Sequence, residues 1–413
     1  MKFRDYQQSI INVGTKRLSD YGLVYLSMEV RTGKTLTSLG IAQKIEASSV
    51  LFITKKKAIY SIENDYQLLN PSFELEVINY ESLHKRTMIK PDLVICDEAH
   101  SMGSFPKPSK RAKDVRNILV NMACPRLILM SGTPTPESFC QLYHQVYGHI
   151  NNPFKRYGNF YKFAKDYVNV SQRRIGSNVV NDYSNGYQEM IMSAMKPYMI
   201  SYTQKEAGFL SEIEEDVLYV NMKPKTYKLC EKLSKDLVIE GKEEVILADT
   251  SVKLMMKLHQ MYSGTVKFES GNSMVLDDSK AEFIKWKFNG EKIAIFYKFK
   301  AELEALKETF GDDLTDNINE FDTTEKNIAL QIVSGREGIS LRKAKYIVYY
   351  NIDFSATSYW QSRDRMTTKN RRYNKVYWIF SKGGIEKKIY RAVNGKKNYT
   401  ITHFKKDYGK HNN

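Results

Sequence analysis

Short apolar runs rich in β-branched and aromatic residues alternate with helical segments along this 413-residue chain. Runs that are apolar on successive residues are typical of strands covered on both faces, as in a parallel sheet. Helical patterns such as TLTSLGIAQKIEA (35–47) and KAELEALKETF (300–310) lie between them. This alternation predicts an α/β fold built on parallel sheets. The predicted strands are VLFIT (50–54), DLVIC (92–96), RLILMSGTP (126–134), KIAIF (292–296), IALQIVS (328–334), YIVYYN (346–351) and KVYWIF (375–380).

The middle of the chain, from about 151 to 280, is rich in Tyr, Lys and Met and carries fewer strand signals. Two segments there, LCEKLSKDLVI (229–239) and VKLMMKLHQMY (252–262), have the pattern of amphipathic helices. We therefore predict two α/β lobes with helical insertions between or within them. The first lobe is expected to span 1–210 and the second 211–413.

Composition indicates a globular protein with a polyanionic partner. Hydrophobic residues make up 42% and charged residues 27%, and the net charge is +16. Such a basic balance favours nucleic acid, although many basic proteins bind none. No apolar run is long enough to span a bilayer and the first residues lack a signal-peptide core, so we expect an intracellular protein without membrane partners. The four cysteines are scattered, which predicts free thiols rather than disulfides or a zinc site.

A phosphate-binding loop is indicated by Thr32-Gly33-Lys34-Thr35, which lies between the predicted strand LVYLS and a predicted helix. Backbone N–H groups at such a helix start point at phosphate oxygens. Lys34 would reach the β- and γ-phosphates, and the Thr35 hydroxyl would bind Mg²⁺. The full G-x-x-x-x-G-K-[ST] pattern of this Walker A loop has glycine where Met28 stands, so the tetrapeptide alone leaves a chance match open.

Two further motifs follow predicted strands directly. In VICDEAH, Asp97 and Glu98 would emerge at the carboxyl edge of a sheet, where α/β folds bind ligands. Asp97 would hold Mg²⁺ and Glu98 would orient the attacking water, although an acid pair after a strand can also be a plain helix cap. In SGTP, the hydroxyls of Ser131 and Thr133 could bond to these carboxylates and report on the γ-phosphate.

These motifs, in this order, resemble those of superfamily 2 helicases, and among them the Swi/Snf-like double-stranded DNA translocases and small phage-type DEAH-box enzymes. FRDYQ resembles the Q-motif, in which Gln7 would read adenine. EVRTGKT resembles the motif I of this group, in which the early glycine is commonly absent. Further resemblances are VLFITKKKAIYSIENDY to motif Ia, VINYESL to Ib, DEAH to II, SGTP to III, KIAIFYKFKAELEAL to IV, IVSGREGISLRKAKYIVYYNIDF to V and YWQSRDRM to VI.

The resemblance implies two RecA-like lobes with ATP and Mg²⁺ bound in the cleft between them. The implied nucleotide contacts are Gln7, Val30, Arg31, Thr32, Gly33, Lys34, Thr35, Gln361 and Arg365. Catalysis is assigned to Lys34, Asp97, Glu98 and Arg365. The metal ligands are Thr35 and Asp97, and the coupling residues are His100, Ser131, Thr133 and Gly338. The implied DNA contacts are Thr54, Lys55, Lys56, Tyr80 and Lys298.

One departure concerns motif VI, which in the family carries two arginines. Gln361 and Arg365 fit the pattern Q-x-x-x-R-x-x-R, but the second arginine position holds Thr368. Arginine stabilises charge on the transferring phosphoryl group, so its loss should cost rate. The basic residues nearby that could substitute are Arg363, Arg371 and Arg372.

We therefore expect an ATP-dependent DNA helicase or translocase. It would act on duplex or branched DNA, or on single strands, in replication, recombination or repair. The small size and the lack of a recognisable accessory domain suggest a phage motor, which would work as a monomer in the cytoplasm of a bacterial host. The alternatives are an RNA helicase and a nucleotide-binding scaffold with little turnover, which Thr368 favours. Polarity and strand separation stay open.

Overall fold

The computed structural model describes residues 3–88, 90–121, 126–175, 178–209, 212–241, 243–335, 341–366 and 373–395. The chain divides into two compact units, Met1–Gly208 (unit 1) and Phe209–Asn413 (unit 2). The sequence placed the boundary between 210 and 211. Among the described residues, no helix combines the length and apolar character needed to cross a bilayer.

Unit 1 begins with a helix and then alternates strands and helices. Its elements are α1 Asp5–Tyr21, β1 Leu23–Met28, α2 Lys34–Lys44, β2 Ser49–Thr54, α3 Ile59–Leu69, β3 Glu74–Asn79, β4 Leu93–Cys96, α4 Lys110–Asn121, β5 Leu127–Met130, α5 Gln141–Val146, α6 Phe160–Tyr167, β6 Ser171–Ile175, β7 Asn178–Asp182, α7 Gln188–Met195 and β8 Met199–Tyr202.

Six of these strands form one sheet in the order β3-β2-β4-β5-β1-β8, and every neighbouring pair is parallel. Strands β6 and β7 form a separate antiparallel hairpin. Because all six strands run in one direction, the carboxyl ends of β1, β2, β4 and β5 share an edge of the sheet. The loops that follow these four strands carry the segments that resemble motifs I, Ia, II and III.

Alternate side chains of this sheet enter two different cores. Leu23 and Tyr25 of β1 pack with residues of α4 to α7, whereas Val24 and Leu26 pack with residues of α1 to α3. Side chains of a strand alternate between its faces, so a strand buried on both sides must be apolar throughout. This explains the uninterrupted apolar runs of the sequence.

Unit 2 repeats the pattern. Its elements are β9 Glu212–Val220, α8 Pro224–Asp236, β10 Val238–Glu240, β11 Val245–Leu247, α9 Ser251–Tyr262, β12 Thr265–Lys267, β13 Ser273–Val275, α10 Ser279–Lys287, β14 Ile293–Tyr297, α11 Lys300–Phe310, β15 Leu314–Thr315, α12 Ile318–Thr323, β16 Asn327–Gln331, α13 Ile332–Gly335, β17 Tyr346–Tyr349, α14 Ala356–Arg363, β18 Tyr373–Ser381 and α15 Glu386–Asn394.

The main sheet of unit 2 is also six-stranded and parallel, in the order β15-β16-β14-β17-β18-β9. Its faces again separate two cores. Ala294 and Phe296 of β14 pack with α8, α9, α14 and α15, whereas Ile293 and Ile295 pack with α10 and α11. The predicted α/β fold with two parallel-sheet lobes is therefore confirmed.

The middle of the chain contains the predicted helices but also strands that the sequence did not single out. Strands β8 and β9 are edge strands of the two main sheets. The helix predicted over 229–239 ends at Asp236, because Leu237 adopts a left-handed conformation (φ 60°) and the chain continues as β10. Cys96, Cys140 and Cys230 are buried thiols that form no disulfide within the described part of the chain, as predicted, and Cys124 lies outside the described residues.

Candidate nucleotide-binding site

The loop after β1 holds the predicted phosphate-binding lysine. Met28 is the last residue of β1, pairs with Tyr202 of β8 and is fully buried. The Lys34 ammonium donates to the Met28 carbonyl oxygen at 3.0 Å and to that of Glu29 at 3.3 Å. The side chain at position 28 thus belongs to the core and its carbonyl fixes Lys34, which explains why a methionine is accommodated there.

Gly33 is required by the geometry of this loop. It adopts φ +80°, and a Cβ at this position would lie 2.4 Å from Nε2 of Gln7. Only glycine takes this conformation without strain and leaves that space. Gln7 is 3% exposed, and its amide nitrogen donates to the Gly33 carbonyl oxygen at 3.4 Å. The structure therefore places Gln7 against the predicted phosphate-binding loop, and its contact with adenine stays a prediction.

Several side chains brace the loop from within. The buried Thr32 hydroxyl donates to the Glu29 carbonyl oxygen at 2.7 Å, so Thr32 stabilises the loop from within. The Gln204 amide donates to the Val30 carbonyl oxygen at 3.0 Å. Arg31 adopts φ 64°, which costs energy for a residue with a side chain and is concentrated at functional sites. Helix α2 begins at Lys34, so Thr35 lies in its first turn.

Sequence reasoning missed the aromatic contact beside this loop. The Tyr6 hydroxyl donates to the Thr32 carbonyl oxygen at 3.1 Å, and its ring stacks on Tyr202 with centroids 4.8 Å apart. Tyr6 directly precedes Gln7, so its place in FRDYQ was a signal that could have found it. The pair ties α1 and β8 to the loop.

Asp97 follows β4 directly and is held by two hydroxyls. The Thr54 hydroxyl donates to Asp97 Oδ2 at 3.0 Å, and the Tyr80 hydroxyl donates to the Asp97 carbonyl oxygen at 2.6 Å. Burial raises the pKa of Asp97 to about 6, and the charge of Glu98 adds to this, whereas Lys34 and Thr54 oppose it. Asp97 is therefore a desolvated carboxylate that a nearby cation would stabilise.

Two of the predicted DNA contacts are corrected by this arrangement. Thr54 is 0% exposed and Tyr80 is 2% exposed, because both side chains turn inward to satisfy Asp97. A side chain without accessible surface cannot contact bound DNA. Lys55 and Lys56 follow β2 and are half-buried and exposed, respectively. Lys55 also helps to lower the pKa of Glu98, so its ammonium lies in the field of the carboxylates.

Glu98 lies in the left-handed region (φ 49°), a conformation that is uncommon for a residue with a side chain. Its Oε2 lies 3.1 Å from Nδ1 of His100. Burial raises the pKa of Glu98, but the hydrogen bond and charge of His100, with the charges of Lys55 and Lys34, outweigh burial and hold this pKa below its usual range. Glu98 is therefore ionised at neutral pH and can accept a proton or a hydrogen bond from water.

Three of the four predicted coupling residues, His100, Ser131 and Thr133, are joined by short contacts. Its Nδ1 lies 3.0 Å from Ser131 Oγ, which accepts a hydrogen bond from Thr133 N at 3.1 Å. The Ser131 hydroxyl thus contacts His100, which in turn contacts Glu98. The sequence analysis had predicted a direct hydrogen bond between this hydroxyl and the carboxylates. The Thr133 hydroxyl is buried with no hydrogen-bond partner in the described part of the chain.

In unit 2, two predicted residues are engaged in ion pairs. Lys298 pairs with Asp353, each side chain is 13% exposed, and the ammonium lies 4.6 Å from the centroid of the Phe354 ring. Its assignment to DNA stays a prediction, and a DNA contact would compete with the Asp353 carboxylate for its charge. Arg363 pairs with Glu215 and is thereby removed from the candidates for the second motif VI arginine.

Arg365 lies in the short 3-10 turn Asp364–Met366 that follows α14. Its carbonyl oxygen accepts a hydrogen bond from Leu341 N at 2.9 Å. Trp360 packs against the core and donates to the Val393 carbonyl oxygen at 3.1 Å, as expected for a core residue. Gln361 is part of α14, but its side chain lies outside the described set. Four further residues named in the sequence analysis lie outside the described ranges: Gly338, Thr368, Arg371 and Arg372.

No protein-family model matches the chain, and no curated protein matches its sequence. Among solved structures, the chain is similar to the SWI2/SNF2 ATPase core of Sulfolobus solfataricus in complex with double-stranded DNA, at 15% identity and a TM-score of 0.43, covering 98% of this chain and 92% of that one. It is also similar to the SWI2/SNF2 ATPase core domain from the same organism, at 16% identity and a TM-score of 0.44, covering 96% and 89%.

Proposed function

We propose that this protein hydrolyses ATP and uses the energy to move on DNA. The proposal rests above all on the meeting of the Lys34 loop with Asp97 and Glu98 at one edge of the unit 1 sheet. The Lys34 loop follows β1 and the two acids follow β4, so both lie at the carboxyl edge of the sheet, and the charge of Lys34 lowers the pKa of both carboxylates. A cation, two acids and a helix start together suit a nucleoside triphosphate.

In the proposed reaction the phosphates lie at the start of α2, where the backbone amides and Lys34 bind them. Glu98 accepts a hydrogen bond from the attacking water and orients it toward the γ-phosphate. The ionised state of Glu98, which His100 maintains, is the state that this role needs. Gln7 would read the adenine, and Val30 to Gly33 would offer main-chain contacts.

The residues fit a bound Mg²⁺ ion. Mg²⁺ prefers oxygen ligands and is commonly bound through one or two carboxylates together with substrate phosphates. Asp97 and Thr35 supply a carboxylate and a hydroxyl beside the loop, and the raised pKa of Asp97 reflects a desolvated oxygen that a cation would stabilise. Mg²⁺ would neutralise charge on the β- and γ-phosphates.

DNA is proposed as the polymer because of the charge of the chain and its motif pattern. The net charge of +16 favours a polyanion, and exposed Lys56 with Lys55 follows β2 beside the ATP site. The resemblance to Swi/Snf-like translocases favours duplex or branched DNA over RNA. The same resemblance assigns Arg365 to the γ-phosphate and suggests a phage enzyme of replication, recombination or repair in a bacterial cytoplasm.

The experiment that tests movement is displacement of a third strand from a DNA triplex. We expect displacement with ATP and none with a non-hydrolysable ATP analogue or with Glu98→Gln, because movement needs turnover. Displacement that persists without hydrolysis, or hydrolysis that only RNA stimulates, would overturn the proposal and would favour passive binding or an RNA helicase, respectively.

A further inference from the structure

Helix α14, which leads directly to Arg365, is anchored at its carboxyl end by the carboxylate of Glu215. This residue lies on the edge strand β9, and its side chain is 12% exposed. It pairs with the Arg363 guanidinium and accepts hydrogen bonds at 2.8 Å from the Tyr359 hydroxyl and from Trp378 Nε1. This one carboxylate therefore binds two α14 side chains, one turn apart, and fixes them to the sheet.

The amino end of α14 is anchored by a second carboxylate. Asp353 follows β17 and accepts a hydrogen bond from the Ser358 hydroxyl at 2.8 Å. Its other oxygen pairs with Lys298 and accepts from the backbone N–H of Phe354 at 2.9 Å. Burial raises the pKa of Asp353, but the charge of Lys298 and these hydrogen bonds outweigh burial and lower it. Asp353 is therefore ionised and keeps both partners.

Just beyond α14, further contacts hold the backbone that carries Arg365. Met366 is fully buried, and the Arg365 carbonyl oxygen accepts the Leu341 N–H. The guanidinium of Arg363 also lies 4.0 Å from the centroid of the Trp360 ring. Rotation of α14 about its axis would break the Glu215 contacts, and Arg365 would turn with the helix because it lies two residues beyond Arg363.

We propose that Glu215 and Asp353 are positioning residues that set the orientation of α14 and thereby direct Arg365 to the γ-phosphate. This inference rests on the proposed ATPase function. Neither carboxylate touches the nucleotide in this account, and each acts through Arg365. A carboxylate suits the site on β9 because it accepts from several donors at once, whereas an amide offers one oxygen.

The first test is a double-mutant cycle on ATP turnover. Glu215→Gln should lower kcat about tenfold and leave the KM for ATP within about twofold, because a misdirected arginine acts mainly on the transition state. Arg365→Ala should lower kcat further, and the double variant should be no slower than Arg365→Ala alone. Additive losses in the double variant would overturn the proposal, because they would mean that Glu215 acts independently of Arg365.

The matched control is Asp277→Asn, which alters another buried carboxylate of unit 2. Asp277 accepts from the Thr226 hydroxyl at 2.6 Å and from Lys223 N at 2.7 Å, and these contacts do not involve α14. This variant should lower the stability of the unit without changing kcat. An equal fall of kcat in Asp277→Asn and Glu215→Gln would overturn the positioning role and indicate general loss of stability.

A second readout needs no ATP turnover. Amide hydrogen exchange over 356–366 should be faster in Glu215→Gln than in the unchanged protein, and Asp277→Asn should leave this segment unaffected. If the protein hydrolyses no ATP, the proposed function fails. The exchange measurement tests the anchoring of α14 independently of that result, and unchanged exchange in Glu215→Gln would overturn it. Should Glu215→Gln fail to fold, Ser358→Ala tests the opposite anchor by the same exchange measurement, with the same increase expected.

Discussion

The imidazole Nδ1 of His100 lies 3.0 Å from the hydroxyl oxygen of Ser131, which joins the end of β4 to the end of β5. The same nitrogen lies 3.1 Å from Glu98 Oε2. A change at the γ-phosphate that moves Glu98 would therefore be felt in the turn after β5. This contact gives the Ser131 hydroxyl a physical route to the proposed site of hydrolysis.

Ser131→Ala should weaken coupling between DNA binding and hydrolysis. Loss of one hydrogen bond of about 1 kcal/mol corresponds to about a fivefold effect. The factor by which DNA stimulates ATP turnover should therefore fall about fivefold. The turnover rate without DNA should fall by less. The control is Ser138→Ala, which removes a buried hydroxyl that donates to the Ser184 carbonyl oxygen. Equal DNA stimulation in the two variants would remove Ser131 from the coupling route.

Glu98→Gln and Asp97→Asn should separate hydrolysis from metal-dependent binding. The first variant should still bind ATP with Mg²⁺ but turn it over at least about a hundredfold more slowly, because positioning of the attacking water is typically worth that much. The second should weaken Mg²⁺-dependent nucleotide binding. Equilibrium binding of a fluorescent ATP analogue, with and without Mg²⁺, and turnover assays distinguish them. Identical behaviour of both variants would contradict the division of roles.

Lys55→Ala/Lys56→Ala should lower affinity for DNA of any sequence and reduce its dependence on salt. Each lost phosphate contact lowers the slope of log K against log salt by about 0.9, so two contacts lower it by about 1.8. The measurement is a salt titration of duplex DNA binding by fluorescence anisotropy. The matched control is Lys162→Ala/Lys165→Ala on α6, where both lysines are exposed. The same slope in both double variants would argue against a DNA contact after β2.

Arg365→Ala should lower kcat strongly and spare ATP affinity, because an arginine on the γ-phosphate acts mainly on the transition state. Thr368→Arg restores the second arginine of the motif and should raise turnover. Of the neighbours, Arg371 is our first candidate for the missing charge, so Arg371→Ala should also slow turnover. Steady-state ATPase kinetics test all three. If Arg371→Ala and Thr368→Arg both leave turnover unchanged, Arg365 alone must supply the charge of this motif.

Much of the fold could be predicted because strands buried on both faces must be apolar throughout. The run VLFIT became β2 and DLVIC became β4 with shifts of one residue at their starts. The edge strands were harder to predict from the sequence. Strand β9 reads EIEEDVLYV and β8 only MISY, since an edge strand needs neither length nor a continuous apolar run. The sequence also did not predict that α8 ends at Asp236, because no sequence pattern indicates that a leucine such as Leu237 will adopt a left-handed backbone conformation.

The site could be predicted only where the chemistry dictates residue type and order. Lys34, Asp97 and Glu98 meet these conditions. The direction of the Thr54 hydroxyl depends on residues that are far away in the sequence. In the structure this hydroxyl donates to the carboxylate of Asp97. Glu215 could not be found in the sequence, because its partners on α14 and β18 lie 144, 148 and 163 residues along the chain.

The most direct test of the central claim is the rate of ATP hydrolysis with and without duplex DNA, measured for the unchanged protein and for Lys34→Ala. We expect the unchanged protein to hydrolyse ATP faster when duplex DNA is added. Lys34→Ala should abolish turnover under both conditions while the fold, monitored by circular dichroism, is retained, because Lys34 lies at the loop and serves the phosphates. Unchanged turnover in a folded Lys34→Ala variant, or no hydrolysis by the unchanged protein, would contradict the account.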